Sequence, residues 1–309
     1  MVSVEPLSER TRSTRLLPAW LRALRPHQWA KSALLLVPAI SGHRLLSLEV
    51  LGPLAIAVAS FSFAASSVYV VNDLRDLEAD RAHARKGSRP LASGELGASA
   101  ALGLAAAALA ISVGLATLLP PRFLLAIGAY VVLASLYSFV LKRLLLIDVL
   151  ALAVLFTLRV IAGGLATEVV PSSWLLVFAV FFSTGLAFAK RYAELSAAKG
   201  SSEPLGGRAY RPNDLDMVRT VGVSSGMLAV LVFALYAQSS DTRGLYSEPE
   251  LLVLACPVLL YWFGRIWFIA GRGELDEDPV VFALKDPVSW AAGFSTLALV
   301  LLARTGPLA

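Results

Sequence analysis

Nine stretches of the chain, each 17–22 residues long, carry few or no charges, and polar segments divide them: 30–46, 51–72, 97–118, 123–141, 145–166, 172–190, 218–238, 251–270 and 287–304. Each is long enough, as a helix, to cross a hydrocarbon core of ~30 Å. The first is interrupted by Ser41-Gly42-His43-Arg44, and the third and fifth are rich in Gly, Ala and Ser, which suits close helix packing in lipid. The pattern predicts an all-α integral membrane protein of nine transmembrane helices. Residues 1–26 read as a basic N-terminal arm, and 27–309 as one transmembrane domain.

Composition agrees. Hydrophobic residues make up 57% of the 309 and charged residues 16%, against roughly 25% charged in an average soluble protein. The mean hydropathy is +0.70. The single cysteine, Cys256, excludes a disulfide within the chain. His27, His43 and His83 have no metal-ligand spacing, so a zinc site is not expected. The first thirty residues are basic and not hydrophobic, with no small-residue cleavage site, so no removable signal peptide is expected. The six tryptophans lie mostly near span ends and read as interfacial belts.

Charge then orients the bundle. With the N-terminus inside, the inner segments are 1–29, 73–96, 142–144, 191–217 and 271–286. Of the 27 Lys and Arg, only Arg44, Arg122, Arg243 and Arg304 fall on the other side, and Arg159 falls within a span. This asymmetry places the chain in the cytoplasmic membrane with its long segments in the cytoplasm. It also explains the pI of about 9.5 without a nucleic-acid partner. Chemistry is expected on the cytoplasmic face, with the loop 196–216 mobile and covering it.

One inner segment opens with Asn72-Asp73-Leu74-Arg75-Asp76-Leu77-Glu78-Ala79-Asp80. At about 100° per residue, Asp73, Asp76 and Asp80 fall within roughly a 60° sector of a helix, with Asn72 at its edge and Glu78 about 140° from Asp73. Three like charges on one face repel, and a cation between them relieves that. Hard oxygen ligands beside a phosphate suit Mg²⁺. Arg81, Arg85, Lys86 and Arg89 follow. Carboxylates for a metal beside cations for phosphate oxygens are what handling a diphosphate requires.

This N-D-x-x-D-x-x-x-D pattern, followed by Arg89-Pro90-Leu91-Ala92-Ser93-Gly94, resembles the UbiA prenyltransferase superfamily. The resemblance implies nine helices around a central cavity open to the cytoplasm and laterally to lipid, with Mg²⁺ held by Asp73, Asp76 and Asp80. The aromatic prenyltransferases of the superfamily carry a second D-x-x-x-D between helices 6 and 7. Here Lys190-Arg191-Tyr192-Ala193-Glu194-Leu195 stands in its place, and Asp214 and Asp216 come later at another spacing. That segment is similar to the branch that transfers phosphoribose from 5-phosphoribosyl diphosphate to a polyprenyl phosphate. So are Arg25-Pro26-His27-Gln28-Trp29-Ala30-Lys31, Leu158-Arg159-Val160-Ile161-Ala162-Gly163-Gly164 and Ala283-Leu284-Lys285-Asp286.

The resemblance implies substrate contacts at Lys31, Asn72, Arg81, Lys86, Arg89, Tyr137, Lys142, Arg159, Lys190, Arg191, Tyr192, Glu194 and Asp278. A lysine and an arginine in place of an acidic motif fit an enzyme that brings two anionic substrates together. Arg159 is buried by its position in the fifth span, and Asp148 lies eleven residues away in that span, roughly 16 Å along the axis. Direct pairing of the two is therefore excluded. Glu274, Asp276, Glu277 and Asp278 form an acidic cluster expected to cap a helix. An aromatic prenyltransferase shares the metal motif but needs the missing second one. A transporter is the third reading, and no broken-helix repeats in matching halves support it.

Overall fold

The computed structural model describes residues 17–82, 86–197, 208–275 and 278–305, and among these every regular element is helical. A short helix α1 (Ala19–Ala23) leads into a 3-10 segment (Pro26–Leu36) and α2 (Val37–Ser41). The long helix α3 (Leu48–Arg75) is followed by short α4 (Leu77–Ala82). Then come α5 (Ala98–Ala116), α6 (Pro121–Phe139), α7 (Ile147–Thr167), α8 (Ser173–Ala197) and α9 (Leu215–Ala237). The remainder is α10 (Ser240–Arg243), α11 (Ala255–Gly271), α12 (Pro279–Lys285) and α13 (Pro287–Thr305).

Eight of these helices are long and apolar enough to cross a membrane. They match eight of the nine expected stretches to within a few residues, except that α3 and α8 run on at the ends that carry charge. The ninth, 30–46, is formed differently. Its residues take the 3-10 turn up to Leu36 and end in α2 at Ser41, before Gly42 and His43. A 3-10 helix rises about 2.0 Å per residue and an α-helix about 1.5 Å. Eleven residues of the first and five of the second therefore extend about 30 Å. Runs of 3-10 this long are uncommon, and this one starts from Arg25, a non-glycine residue held at φ 53°.

Among the described residues, the two largest of four buried apolar clusters hold most of the bundle. One gathers Leu35, Phe61, Phe123, Ile127, Tyr130 and Leu155, joining the 3-10 segment, α3, α6 and α7. The other gathers Phe188, Tyr192, Phe263, Ile266 and Trp267 from α8 and α11, with Val218 from α9. Small residues set the closest approaches. A Cβ on Gly163 of α7 would meet the Leu35 carbonyl oxygen at 2.1 Å, and one on Gly226 of α9 would meet the Phe263 ring at 1.7 Å. The outward faces are apolar as well: Leu125 is 73% and Phe268 71% exposed. Apolar residues inside and outside mark a protein whose solvent is lipid. Trp262 and Trp267, expected in the interfacial belts, are core residues at 8% exposure each, whereas Trp20 and Trp290 are half exposed.

The up-and-down order brings the ends of α3, α6 and α8 to one face, with the starts of α7 and α9. At 28 and 25 residues, α3 and α8 extend about 42 and 38 Å. Both exceed the hydrocarbon thickness, which carries their charged ends clear of it. Of the expected arm, residues 19–25 are packed on the domain: Ala23 and Leu24 are buried and Arg22 pairs with Glu95.

Candidate active site

The aspartate motif lies where α3 stops. Arg75 is its last residue, and Asp76 takes φ −90°, ψ 15°, so the helical phase breaks in the middle of the motif. Asp73 and Asp80 stay together on the buried side, at 4% and 3% exposure, and Arg89 bonds both, 3.0 Å from Asp73 Oδ1. Arg25 also donates to Asp73, and Lys86 Nζ lies 3.9 Å from Asp80. Asp76 is turned aside to Lys142 at 3.3 Å. Glu78 is exposed, as helical phase predicted. The expected single face thus holds for Asp73 and Asp80, while Asp76 sits next to it. Among the described residues no three acidic, His or Cys side chains are placed as a ready metal cage.

Arg25 was missed as a site residue, although it stands in the Arg25-Pro26-His27-Gln28-Trp29 segment. Its left-handed backbone aims its guanidinium at Asp73 and over the Tyr69 ring, 5.3 Å from the centroid. A non-glycine residue in that region costs of order 1–3 kcal/mol and persists only where its surroundings enforce it.

A second cluster lies between the 3-10 segment, α8 and α12. Lys31 Nζ and Lys190 Nζ both donate to Asp278 Oδ2, at 2.9 and 3.0 Å. The other oxygen, Oδ1, accepts from Val280 N at 3.1 Å and caps α12, as the acidic cluster led one to expect. Burial alone would raise the Asp278 carboxyl, but the Lys190 and Lys31 ammonium groups hold it well below the usual carboxylate range.

Arg191, Glu194 and Tyr192 have other surroundings. Arg191 is 1% exposed. Its Nε lies 3.0 Å from Asp148 Oδ2 but off the hydrogen-bond line, so that contact is ionic, and its Nη1 donates to Glu194. Arg208 Nη1 donates to the same Asp148 oxygen at 3.2 Å, and Tyr210 Oη donates to the other at 2.9 Å. Burial, and the Asp148 carboxylate beside it, push the Tyr210 phenol up and keep it a donor. Arg208 also interacts with Tyr137. Two arginines and two acids make this network neutral, which is how such charges survive burial. It ties the start of α7 to the end of α8 and to the far end of the expected covering loop, whose residues 198–207 lie outside those described. So do Arg85, Asp276, Glu277 and residues 1–16 of the arm. Tyr192 packs in the core against Trp267, with ring centroids 5.7 Å apart.

Arg159 is 4% exposed and has no carboxylate partner among the described residues. It donates to Leu155 O at 2.9 Å and Tyr130 Oη at 3.1 Å, and its Nε has no hydrogen-bond partner. The rings of Tyr130, Phe61 and Phe156 surround the guanidinium at 4.9, 5.2 and 5.5 Å. Lys31 stands 5.7 Å from the same Phe156 ring. Asn72 is half-buried and Arg81 exposed.

The geometry therefore brings Asp73, Asp80, Lys86 and Arg89 together, Asp76 with Lys142, and Lys31 with Lys190 and Asp278. It sets Arg191 and Glu194 in a buried network and Tyr192 in the core. A cavity of about 530 Å³, lined by Gln238, Thr242, Arg243, Tyr246 and Glu248, lies at the opposite face.

Comparison with known proteins gives this arrangement a family. The model of the UbiA prenyltransferase family matches residues 33–199. A decaprenyl-phosphate phosphoribosyltransferase of Corynebacterium glutamicum is 34% identical over 272 residues, 85% of this chain and 81% of that protein. An uncharacterized protein, y4nM, of Sinorhizobium fredii is 36% identical over 276 residues; these are 89% of this chain but only 54% of that protein, about half its length. A UbiA homologue from Archaeoglobus fulgidus bound to GPP and Mg²⁺ superposes with a TM-score of 0.68 at 19% identity, covering 91% of this chain and 99% of that one. The chain belongs to the UbiA prenyltransferase family, and it is a multi-pass membrane protein.

The aspartates suit Mg²⁺. Asp73 and Asp80 are buried carboxylates whose partners in the structure are flexible cations, and they offer the hard oxygen donors that this metal takes.

Proposed function

We propose that the protein transfers 5-phosphoribose from 5-phosphoribosyl diphosphate to a polyprenyl phosphate and releases diphosphate. The observation that carries this reading is the pair Lys31 and Lys190, whose combined charge exceeds that of Asp278 by one. Lys190 stands at the start of the segment where an aromatic prenyltransferase would present its second acidic motif. Arg159 adds a buried cation nearby. A site with two separate centres of positive charge suits two phosphorylated substrates. The name of the Corynebacterium relative points the same way.

Asp73 and Asp80 would hold Mg²⁺, which when bound supplies positive charge for the diphosphate oxygens, and Asp76, next to them on Lys142, would complete the donor set. Arg89, Lys86 and Arg25 neutralise the same leaving group from the protein side, and Lys142 positions Asp76. The bond between ribose C1 and the diphosphate oxygen breaks with its electron pair leaving on the diphosphate. A lipid phosphate oxygen forms the new bond to C1. No base is required, because the attacking phosphate is already an anion. Arg191, Glu194, Asp148 and Arg208 act as positioning residues that fix Lys190 and the return of the chain into α9. The polyprenyl tail lies in the bilayer beside the apolar helix faces. We place the site in the cytoplasm, in the cytoplasmic membrane, and count the 3-10 segment with α2 as a ninth crossing. Offering membranes both substrate pairs tests the reading: labelled phosphoribosyl diphosphate with polyprenyl phosphate is expected to label the lipid, and prenylation of an aromatic acid instead would reject it.

A further inference from the structure

Lys31 and Lys190 come from elements far apart in the chain, yet both donate to one oxygen, at 2.9 and 3.0 Å, which sets their nitrogens at most 5.9 Å apart. The carboxylate that receives them sits at the focus of both ammonium groups. An anion arriving from outside would gain most at that same point. Like charges cannot share it, because each carboxylate or phosphoryl group there disfavours the other. The cluster is also distinct from the aspartate motif, whose cations are Arg25, Lys86, Arg89 and Lys142. Lys190 is the most open of the three, its side chain 32% exposed against 13% for Asp278 and 10% for Lys31.

We propose that Lys31 and Lys190 form a second anion subsite, for a phosphate monoester, and that Asp278 is its resident anion, displaced when a substrate phosphate enters. The triad has one positive charge to spare with Asp278 in place. A phosphate dianion between the same two lysines balances them fully, and Asp278, at the start of α12, turns out to water. Selectivity follows. A ligand with only its diphosphate has nothing to displace Asp278 with, whereas one bearing a further phosphate does. The shared chemistry fits the 5-phosphate of the sugar donor and the phosphate of the lipid alike, and the inference rests on the phosphoribosyl reading only for which of these enters.

Asp278→Asn isolates the charge, since asparagine also caps a helix and keeps the side-chain volume. The full-length protein in detergent is titrated with inorganic phosphate by calorimetry. If the resident carboxylate holds the lysines about nine-tenths of the time, removing it tightens apparent phosphate binding about tenfold. Lys190→Met is expected to weaken it about tenfold or more. Phosphate binding by Asp278→Asn that is unchanged or weaker than wild type would overturn the proposal and leave Asp278 as an orienting group for the lysines. Turnover then separates the sources. A lower KM for phosphoribosyl diphosphate in Asp278→Asn assigns the subsite to the sugar 5-phosphate, and a lower KM for polyprenyl phosphate assigns it to the lipid. If neither KM falls, no substrate phosphate displaces Asp278 and the proposal fails. The calorimetric arm involves no turnover, so failure of the phosphoribosyl reading leaves it standing.

Discussion

Gly163→Ala is expected to disable the enzyme from a residue that touches no substrate. The added Cβ would lie 2.1 Å from the Leu35 carbonyl oxygen and 2.7 Å from its carbonyl carbon, both backbone atoms that cannot rotate away. An ordinary contact is reached only at 3.4 Å or more, so the 3-10 segment must move more than about 1 Å off α7. Overpacking of a core costs about 1–3 kcal/mol, occasionally more, and a clash with backbone belongs at the upper end. The same segment carries Lys31, four residues before Leu35. A displacement of about 1 Å in positioned groups can reduce turnover about 100-fold. Gly128→Ala is the control, because nothing lies within 4 Å of its added carbon and an alanine in a helix is worth roughly 0.5–1 kcal/mol over glycine. Thermal unfolding in detergent and transfer of labelled phosphoribose to lipid would be measured for both. Equal melting temperature and turnover in the two variants would refute the close-approach argument.

Asp73→Asn and Asp76→Asn are each expected to lower turnover at least about 100-fold, in line with the loss of a preorganised electrostatic contact, while exposed Glu78→Gln stays within about twofold; equal losses at Glu78 would contradict the division of the motif. Asp148→Asn leaves Arg191 and Arg208 buried opposite Glu194 alone, which should cost about 3–5 kcal/mol, read as a lower unfolding midpoint. Asp278 and Asp286 are both held ionised, burial being outweighed by Lys190 and Lys31 in the first and by Arg265 and Ser289 in the second. Their folded-state values lie below the unfolded ones, so their contribution is present above about pH 4 and is lost as the pH falls further. The melting temperature is expected to be insensitive to these two acids from pH 8 to 5 and to drop below pH 4, less steeply in Asp278→Asn; an equally steep drop in that variant would exclude Asp278 as a source.

Apolar runs are read directly from a sequence, because a crossing helix needs only length and low charge, and eight of them stand where the pattern put them. The 3-10 geometry of Pro26–Leu36 was not legible, since hydropathy does not distinguish a 2.0 Å rise from a 1.5 Å one. Helical phase sorted Glu78 from Asp73 and Asp80 correctly. It placed Asp76 with them because nothing local announces that α3 ends at Arg75. The pairing of Asp148 with Arg191, Arg208 and Tyr210 joins residues from about 40 to more than 60 positions apart, and no local pattern encodes such a contact. The substitution of basic for acidic residues at Lys190-Arg191 was visible, but the two have different surroundings. Lys190 lies on Asp278, and Arg191 is locked in the core side of the network.

In the proposed reaction the sugar moves and the diphosphate leaves. This is tested most directly with 5-phosphoribosyl diphosphate carrying one label in the ribose and another in the β-phosphate, incubated with the membrane-embedded protein, polyprenyl phosphate and Mg²⁺. The ribose label is expected in the lipid phase and the β-phosphate label in water as diphosphate, with both movements lost in Asp73→Asn. Ribose label that stays wholly in water, while the same protein prenylates an aromatic acid, would contradict it.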